Sequence, residues 1–374
     1  VAGVGQTVEV AAAATLVNTS DASLGAAFNQ NQVSQLPIEA RNVVQLLSLQ
    51  PGVTFLGDRI DATKDTRSGS VNGARSDQSN VTLDGVDVND QNNGYAFTSV
   101  LRVTQDSVQE FRITTSNANA DAGRSSGAQV ALVTKSGTND LHGSAYEYNR
   151  NTIFSANEFF IKTAELQAGE PNQRPKLLRN IYGASLGGPF KKNRVFFFAN
   201  YEGRRDREAQ SIVRTVPSAD LQGYINYIAD NGLTVRLTPD QIRTMDPKGI
   251  GPSQAVLSIL QGYPLPNDVS VGDGLNFSGF RFAANEARKF DTYIAKVDWI
   301  ITADGRHTMF WRGNLQNDNS GGAPEFPGQP PVTKVLDKSK GFALSYTALL
   351  QPNLVNSVRW GFTRQGGEAA RWQG

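Results

Sequence analysis

In TYIAKVDWIIT, apolar residues recur at every second position: Tyr293, Ala295, Val297, Trp299 and Ile301 fall on one face while Lys296 and Asp298 interrupt the other. This is the period-two pattern of a β-strand with two unlike faces. After a turn at ADGR the alternation resumes in HTMFWRGNLQ: Met309, Trp311, Gly313 and Leu315 oppose Thr308, Arg312, Asn314 and Gln316. The pair reads as a hairpin. In GFALSYTALL, Phe342, Leu344, Tyr346, Ala348 and Leu350 stand against Ser345 and Thr347; past a turn at QPN, Val358, Trp360 and Phe362 oppose Ser357, Arg359 and Thr363. RNIYGASLGGPF and RVFFFANYEG flank a further turn at KKN, and LHGSAYEYNR stands in front of them. Seven strands are predicted.

Their connections alternate in length. Residues 191–193, 303–305 and 351–353 make short turns, whereas 151–178, 215–288 and 317–337 are long, polar and punctuated by Pro or Gly. Long and short connections therefore segregate to opposite rims of the sheet. An outer-membrane barrel has this asymmetry, with short periplasmic turns, long extracellular loops and an outward apolar face edged by aromatics. A soluble β protein that buries these faces against a second sheet is the competing architecture. In the barrel, Tyr293, Val297, Trp299, Trp311, Phe342, Tyr346, Trp360 and Phe362 face lipid. On that facing Val297→Arg impairs assembly and Lys296→Ala does not. Seven strands do not close a barrel, so the chain is expected to be a fragment of a longer protein, cut at both ends.

The residues before Lys135 have another character. They hold five aromatics, against all four Trp in the remainder, and are rich in Ala, Ser, Asn, Gln and Gly. A boundary is expected near 136–140, after a compact mixed domain with strands at SNVTLDG, EFRITTS and GAQVALVTK. In IEARNVVQLLSLQ, Ala40, Val43, Val44 and Leu47 share one helical face, Pro51-Gly52 ends the run, and Arg41, Gln45 and Ser48 face water. Three aspartates crowd SNVTLDGVDVND. Asp84, Asp87 and Asp90 lack the order of a calcium loop, and their spacing in a strand–turn–strand sends them to different faces. Asp84-Gly85 instead reads as a tight turn with positive φ, between a strand ending at Val81 and Leu83 and one beginning at Val86 and Val88.

Composition narrows the chemistry. The 374 residues carry 36 Lys and Arg against 35 Asp and Glu, so no charge excess calls for nucleic acid. Cysteine is absent, which removes disulfides and thiolate chemistry. No run of about 18 apolar residues occurs and the chain opens at Val1 without a basic, apolar, small-residue pattern, so neither a spanning helix nor a signal peptide is expected within it. GRSSG fits the G-x-S-x-G pattern with Ser125 as nucleophile and His142 or His307 as base, but polar residues precede it and a strand follows, the reverse of a nucleophile elbow. No catalytic residue, metal site or cofactor is expected, and the chain does not read as an enzyme.

LPIEARNVVQLLSLQPGV, VNGARSDQSNVTLDGVDVND and VQEFRITTSNANADAGRSSGAQVALVTKSGTNDLHGSAYEY together resemble the plug domain and first barrel strand of TonB-dependent outer-membrane receptors. The likeness is strongest to the Oar-like subgroup, which carries a carboxypeptidase-regulatory-like extension ahead of the plug. The resemblance implies a mixed α/β plug domain over residues 18–138, followed over 139–374 by antiparallel transmembrane strands of an incomplete 22-stranded barrel in a Gram-negative outer membrane. It implies import of a bulky solute, energised by the TonB protein, with oligosaccharide, siderophore chelate and peptide all open as its identity. An adhesion or surface-assembly protein on the same barrel is the alternative. Residues 1–17 would hold the end of the extension and the TonB-binding stretch Gln6, Thr7, Val8, Glu9 and Val10, a short extended segment suited to strand addition. The plug loop with Asn89, Asp90, Gln91, Asn92, Asn93 and Tyr95 would face the solute.

Overall fold

The computed structural model describes residues 23–36, 41, 43–55, 69–75, 78–90, 99–119, 123, 125–157, 159, 162–163, 166, 171–172, 174, 176–221 and 224–371. The N-terminal part begins with β1 (Leu24–Asn29) and α1 (Gln30–Gln35), whose start is fixed by a reciprocal cap between Asn29 and Gln32. The run predicted as an α-helix is a 3-10 helix, Val43–Leu49. Val43, Val44, Leu46 and Leu47 are buried in it, whereas Arg41 sits before it at φ 56° and is not turned to water. Its guanidinium has carboxylate partners, which outweigh helical periodicity.

Short strands β2 (Val53–Phe55), β3 (Gly69–Val71) and β4 (Ala74–Arg75) form one small sheet. The main sheet of this domain uses β5 (Asn80–Leu83), β6 (Val86–Asp87), β7 (Val108–Ser116) and β8 (Gln129–Thr134) in the order β1-β7-β8-β5-β6, with β5 and β8 parallel. The β5–β6 turn has the geometry read from its sequence: Asp84 at φ 49° and Gly85 at φ 75°. Val81, Leu83, Phe111, Ile113, Val130 and Leu132 pack with the 3-10 helix in a single apolar core, drawn wholly from this domain.

The remainder is dominated by a large antiparallel sheet. Seven strands follow one another as a meander: β9 (His142–Asn151), β10 (Leu177–Lys191), β11 (Val195–Pro217), then, after a long connection, β15 (Phe277–Ile300), β16 (His307–Gln316), β19 (Lys340–Gln351) and β20 (Leu354–Arg364). The connections bear β12 (Ile225–Ile228), β13 (Thr234–Leu237), β14 (Asp268–Gly272), β17 (Asp318–Gly321) and β18 (Thr333–Asp337), and β21 (Gly367–Arg371) follows β20. Two short helices, α2 (Pro239–Met245) and α3 (Gln254–Gln261), lie between β13 and β14. The seven predicted strands are present in the predicted order, but two expected loops are shorter than read. β11 and β15 stay paired out to Pro217 and Phe277, and the stretch expected as a loop after β16 contains β17 and β18. The sheet is open: β9 and β20 end its path and do not pair with each other.

Candidate functional site

The N-terminal domain seats on one face of the large sheet, and the residues that meet there are charged. Three side chains projecting from alternate positions of their strands define the centre: Lys296 on β15, and Arg312 and Asn314 on β16. Arg312 and Asn314 are fully buried and Lys296 nearly so. Opposite them, the tight β5–β6 turn delivers Asp84. One carboxylate oxygen accepts from the Thr134 backbone N–H at 3.0 Å, and the other from the Thr134 hydroxyl at 2.8 Å and from Arg312 Nε at 3.2 Å. Lys296 Nζ lies 3.8 Å from the same carboxylate and donates to the Thr134 carbonyl at 3.0 Å. Arg312 Nη2 donates to the Leu83 carbonyl at 2.9 Å. Asp84 thus does more than turn the chain: it is the anion between two buried cations.

A second fastening lies toward β9. Arg41 pairs with Asp106 of its own domain and, through Nε at 3.1 Å, with Glu202 of β11. Glu202 also accepts from the Tyr146 hydroxyl at 2.8 Å, while the guanidinium lies 4.9 Å and 4.7 Å from the ring centres of Tyr146 and Tyr148. Burial lowers the Arg41 pKa, but Glu202 and Asp106 outweigh it and hold the group above its ordinary value. A third fastening joins Arg102 to Asp318 of β17 by two bonds, at 3.0 and 2.6 Å, with Asn314 donating to the Arg102 carbonyl at 3.1 Å. Between them Thr104 donates to Asn200 at 2.6 Å.

The opposite face of the sheet carries the aromatic set. Tyr293, Trp299, Trp311, Tyr346, Trp360 and Phe362 stand exposed there, with Val297 and Phe342 half-buried among them. Of the loop read as solute-facing, Asn89 is half-buried and committed locally. It accepts from the Val81 N–H at 2.9 Å and donates to Asn80 and Asp87, each at 2.7 Å. Asp90 is half-buried, and Gln91, Asn92, Asn93 and Tyr95 lie outside the described residues. So does the stretch Gln6, Thr7, Val8, Glu9 and Val10. Ser125 donates to the carbonyls of Gln78 and Ala128. His142 stays with Thr138 and Asp140, and His307 with Tyr346, so these three residues are not brought together.

Residues 133–373 match the family described as outer membrane beta barrel domain. The chain belongs to this family. Membership accounts for the polar-inside, apolar-outside sheet and places the protein in the Gram-negative outer membrane. The chain is 26% identical over 208 residues to the TonB-dependent transporter Oar of Myxococcus xanthus, an alignment covering 53% of this chain and 18% of that one. In fold it is similar to the outer membrane transporter YddB of Escherichia coli (TM-score 0.53, 14% identity, 91% of this chain and 39% of that one). It is also similar to the ferric enterobactin receptor PfeA of Pseudomonas aeruginosa (TM-score 0.52, 11% identity, 93% and 42%). The chain spans less than half the length of each of these relatives. Two of these relatives are named as transporters and the third as a receptor.

Sequence reasoning found the strands and missed the fastenings. A signal for them was present: Lys296, Arg312 and Glu202 interrupt otherwise apolar or aromatic strands on the face away from the aromatic set, and a buried charge calls for a partner. Nothing local named that partner.

Proposed function

We propose that this chain is the N-terminal part of an Oar-like, TonB-dependent importer. In this reading residues 18–138 are a plug, residues 139–374 are the first strands of a 22-stranded barrel, and residues 1–17 end a preceding carboxypeptidase-regulatory-like extension. The observation that carries it is the nature of the seam. The N-terminal domain keeps an apolar core of its own, complete without the sheet, and is held to the sheet by ion pairs and hydrogen bonds. Polar seams between domains suit relative movement, because water replaces each broken bond and little apolar surface is exposed. A plug held this way shifts as a unit when pulled.

The pull enters through Gln6, Thr7, Val8, Glu9 and Val10, which TonB recruits by adding a strand, so that backbone hydrogen bonds supply the affinity. The cargo is a bulky solute of the siderophore-chelate or oligosaccharide kind, met from outside by Asp90, Gln91, Asn92, Asn93 and Tyr95, with Asn89 bracing the base of that loop. Proline removes a ladder donor and fixes φ. Val8→Pro in the full-length receptor is therefore expected to abolish capture of the purified periplasmic domain of TonB, and Val8→Ala to retain most of it. Capture that persists through Val8→Pro, with the receptor correctly folded, overturns this site.

A further inference from the structure

The outward face of the large sheet carries a groove that the proposed transport leaves unused. Ala199, Ala295 and Gly313 lie in one register row across β11, β15 and β16, and these small residues make its floor. The Trp311 ring leans over that floor: a Cβ added at Gly313 would come within 2.7 Å of it. On the other side Tyr201 and Tyr293 stand as a wall, their ring centres 5.0 Å apart. The space enclosed is about 700 Å³, the size of a small-molecule site.

The wall does not stay apolar. Its register row runs from Tyr201 and Tyr293 through Leu315 to Lys340 and then Arg364. Lys340 lines the groove and is the one charged residue among the described residues that do so. Both cations are exposed, and among the described residues neither has an ion pair or a side-chain hydrogen bond. Lys340 opens β19 and Arg364 closes β20, so both lie at the long-connection end of the sheet. In outer-membrane barrels that end is extracellular. Unpaired cations just above an apolar membrane band attract lipid phosphate.

We propose that this groove binds one phosphorylated, multiply acylated lipid of the outer leaflet. An acyl chain lies over the Ala199, Ala295 and Gly313 floor beneath Trp311, and the phosphate rests on Lys340 and Arg364. A second copy of the chain fits less well, because a symmetric contact through this row brings like charges together. The proposal rests on the reading that this face meets lipid.

The test is native mass spectrometry of the full-length receptor in detergent, titrated with bisphosphorylated lipid A and, separately, with its phosphate-free form. Wild type is expected to retain the phosphorylated probe about thirtyfold better than does the Lys340→Gln, Arg364→Gln double variant, two cations' worth of attraction. The phosphate-free probe should bind wild type as weakly as the phosphorylated probe binds the variant, and Ala295→Phe, which fills the floor, should weaken both. Heat-modifiable gel mobility confirms folding of each variant. Equal retention of the two probes, or retention unchanged by the double variant, overturns the proposal; a lipid-free dimer reassigns the groove to a second copy. Failure of the lipid-facing reading itself shows separately, as normal assembly of Val297→Arg.

Discussion

On β16, neighbouring residues occupy opposite environments. Arg312 is 0% exposed and paired with a carboxylate, while Trp311 is 43% exposed, and the contrast repeats on β15 between Lys296 and Tyr293. A protein folding in water arranges these faces the other way, since burying a charge is costly and burying an aromatic is favourable. The inversion makes sense when the exterior is hydrocarbon and the interior is a polar seam. The inner face then carries specificity, through fixed ion pairs, and the outer face carries adaptation to the solvent. The two faces should therefore fail differently when mutated.

Asp84→Ala should produce the largest effect, because it strands Arg312 and Lys296 as unpaired buried cations. Removing one partner of a buried ion pair costs about 3–5 kcal/mol. The loss should appear as unseating of the N-terminal domain, measured by hydrogen exchange across residues 80–88 and 129–134 in the full-length protein, while the strands of the large sheet stay protected. Combining Asp84→Ala with Arg312→Met and Lys296→Met should recover much of that protection, since an apolar substitute of similar volume removes the stranded charges. Unaltered exchange in Asp84→Ala would break the distinction between the faces at its centre.

On the outer face, Val297→Arg is expected to impair insertion, at about 2–4 kcal/mol for a charge near the bilayer midplane. Lys296, its neighbour, is not the indifferent residue that alternation alone suggests. Its ammonium bonds the Thr134 carbonyl, so Lys296→Ala should leave insertion intact and loosen the seated domain instead. Folded yield and hydrogen exchange, measured on both variants, separate the outcomes. Matching defects in the two would mean that the faces are not distinct.

The seven strands were legible because large apolar residues recur at alternate positions on one face, with polar residues interrupting the other, and each short turn has its Gly, Asn or Pro. Where both faces turn polar the signal disappears. In RRDREAQ, Arg204 and Asp206 point one way and Arg205 the other, all polar, so alternation marks no strand beyond Gly203, and residues 277–288 of β15, which pair with this half of β11, read as loop. The Asp84 turn was legible for a local reason, positive φ at Asp-Gly. Its role was not, because the partner Arg312 lies 228 residues away and no spacing rule connects them. Arg41 failed similarly: helical periodicity sent it to water, while Glu202, 161 residues on, holds it in the seam.

Gly85→Ala tests the seam with the smallest change. Gly85 follows Asp84 at φ 75°, where an L residue is strained by about 1–2 kcal/mol. A Cβ there would also lie 1.8 Å from Arg359 Nη1 of β20, the end of a flexible side chain that can move aside. The main expense is therefore backbone strain in the turn that aims Asp84, and relocation of Arg359 adds little. The Val88 amide, which bonds the Val81 carbonyl at 3.0 Å across this hairpin, reports the effect. Its protection factor should fall by about tenfold, equivalent to about 1.4 kcal/mol, and Arg359→Ala in the same background should restore only a minor part. Full restoration by Arg359→Ala would show that the contact with β20, and not the turn's own geometry, sets the position of Asp84 against Arg312.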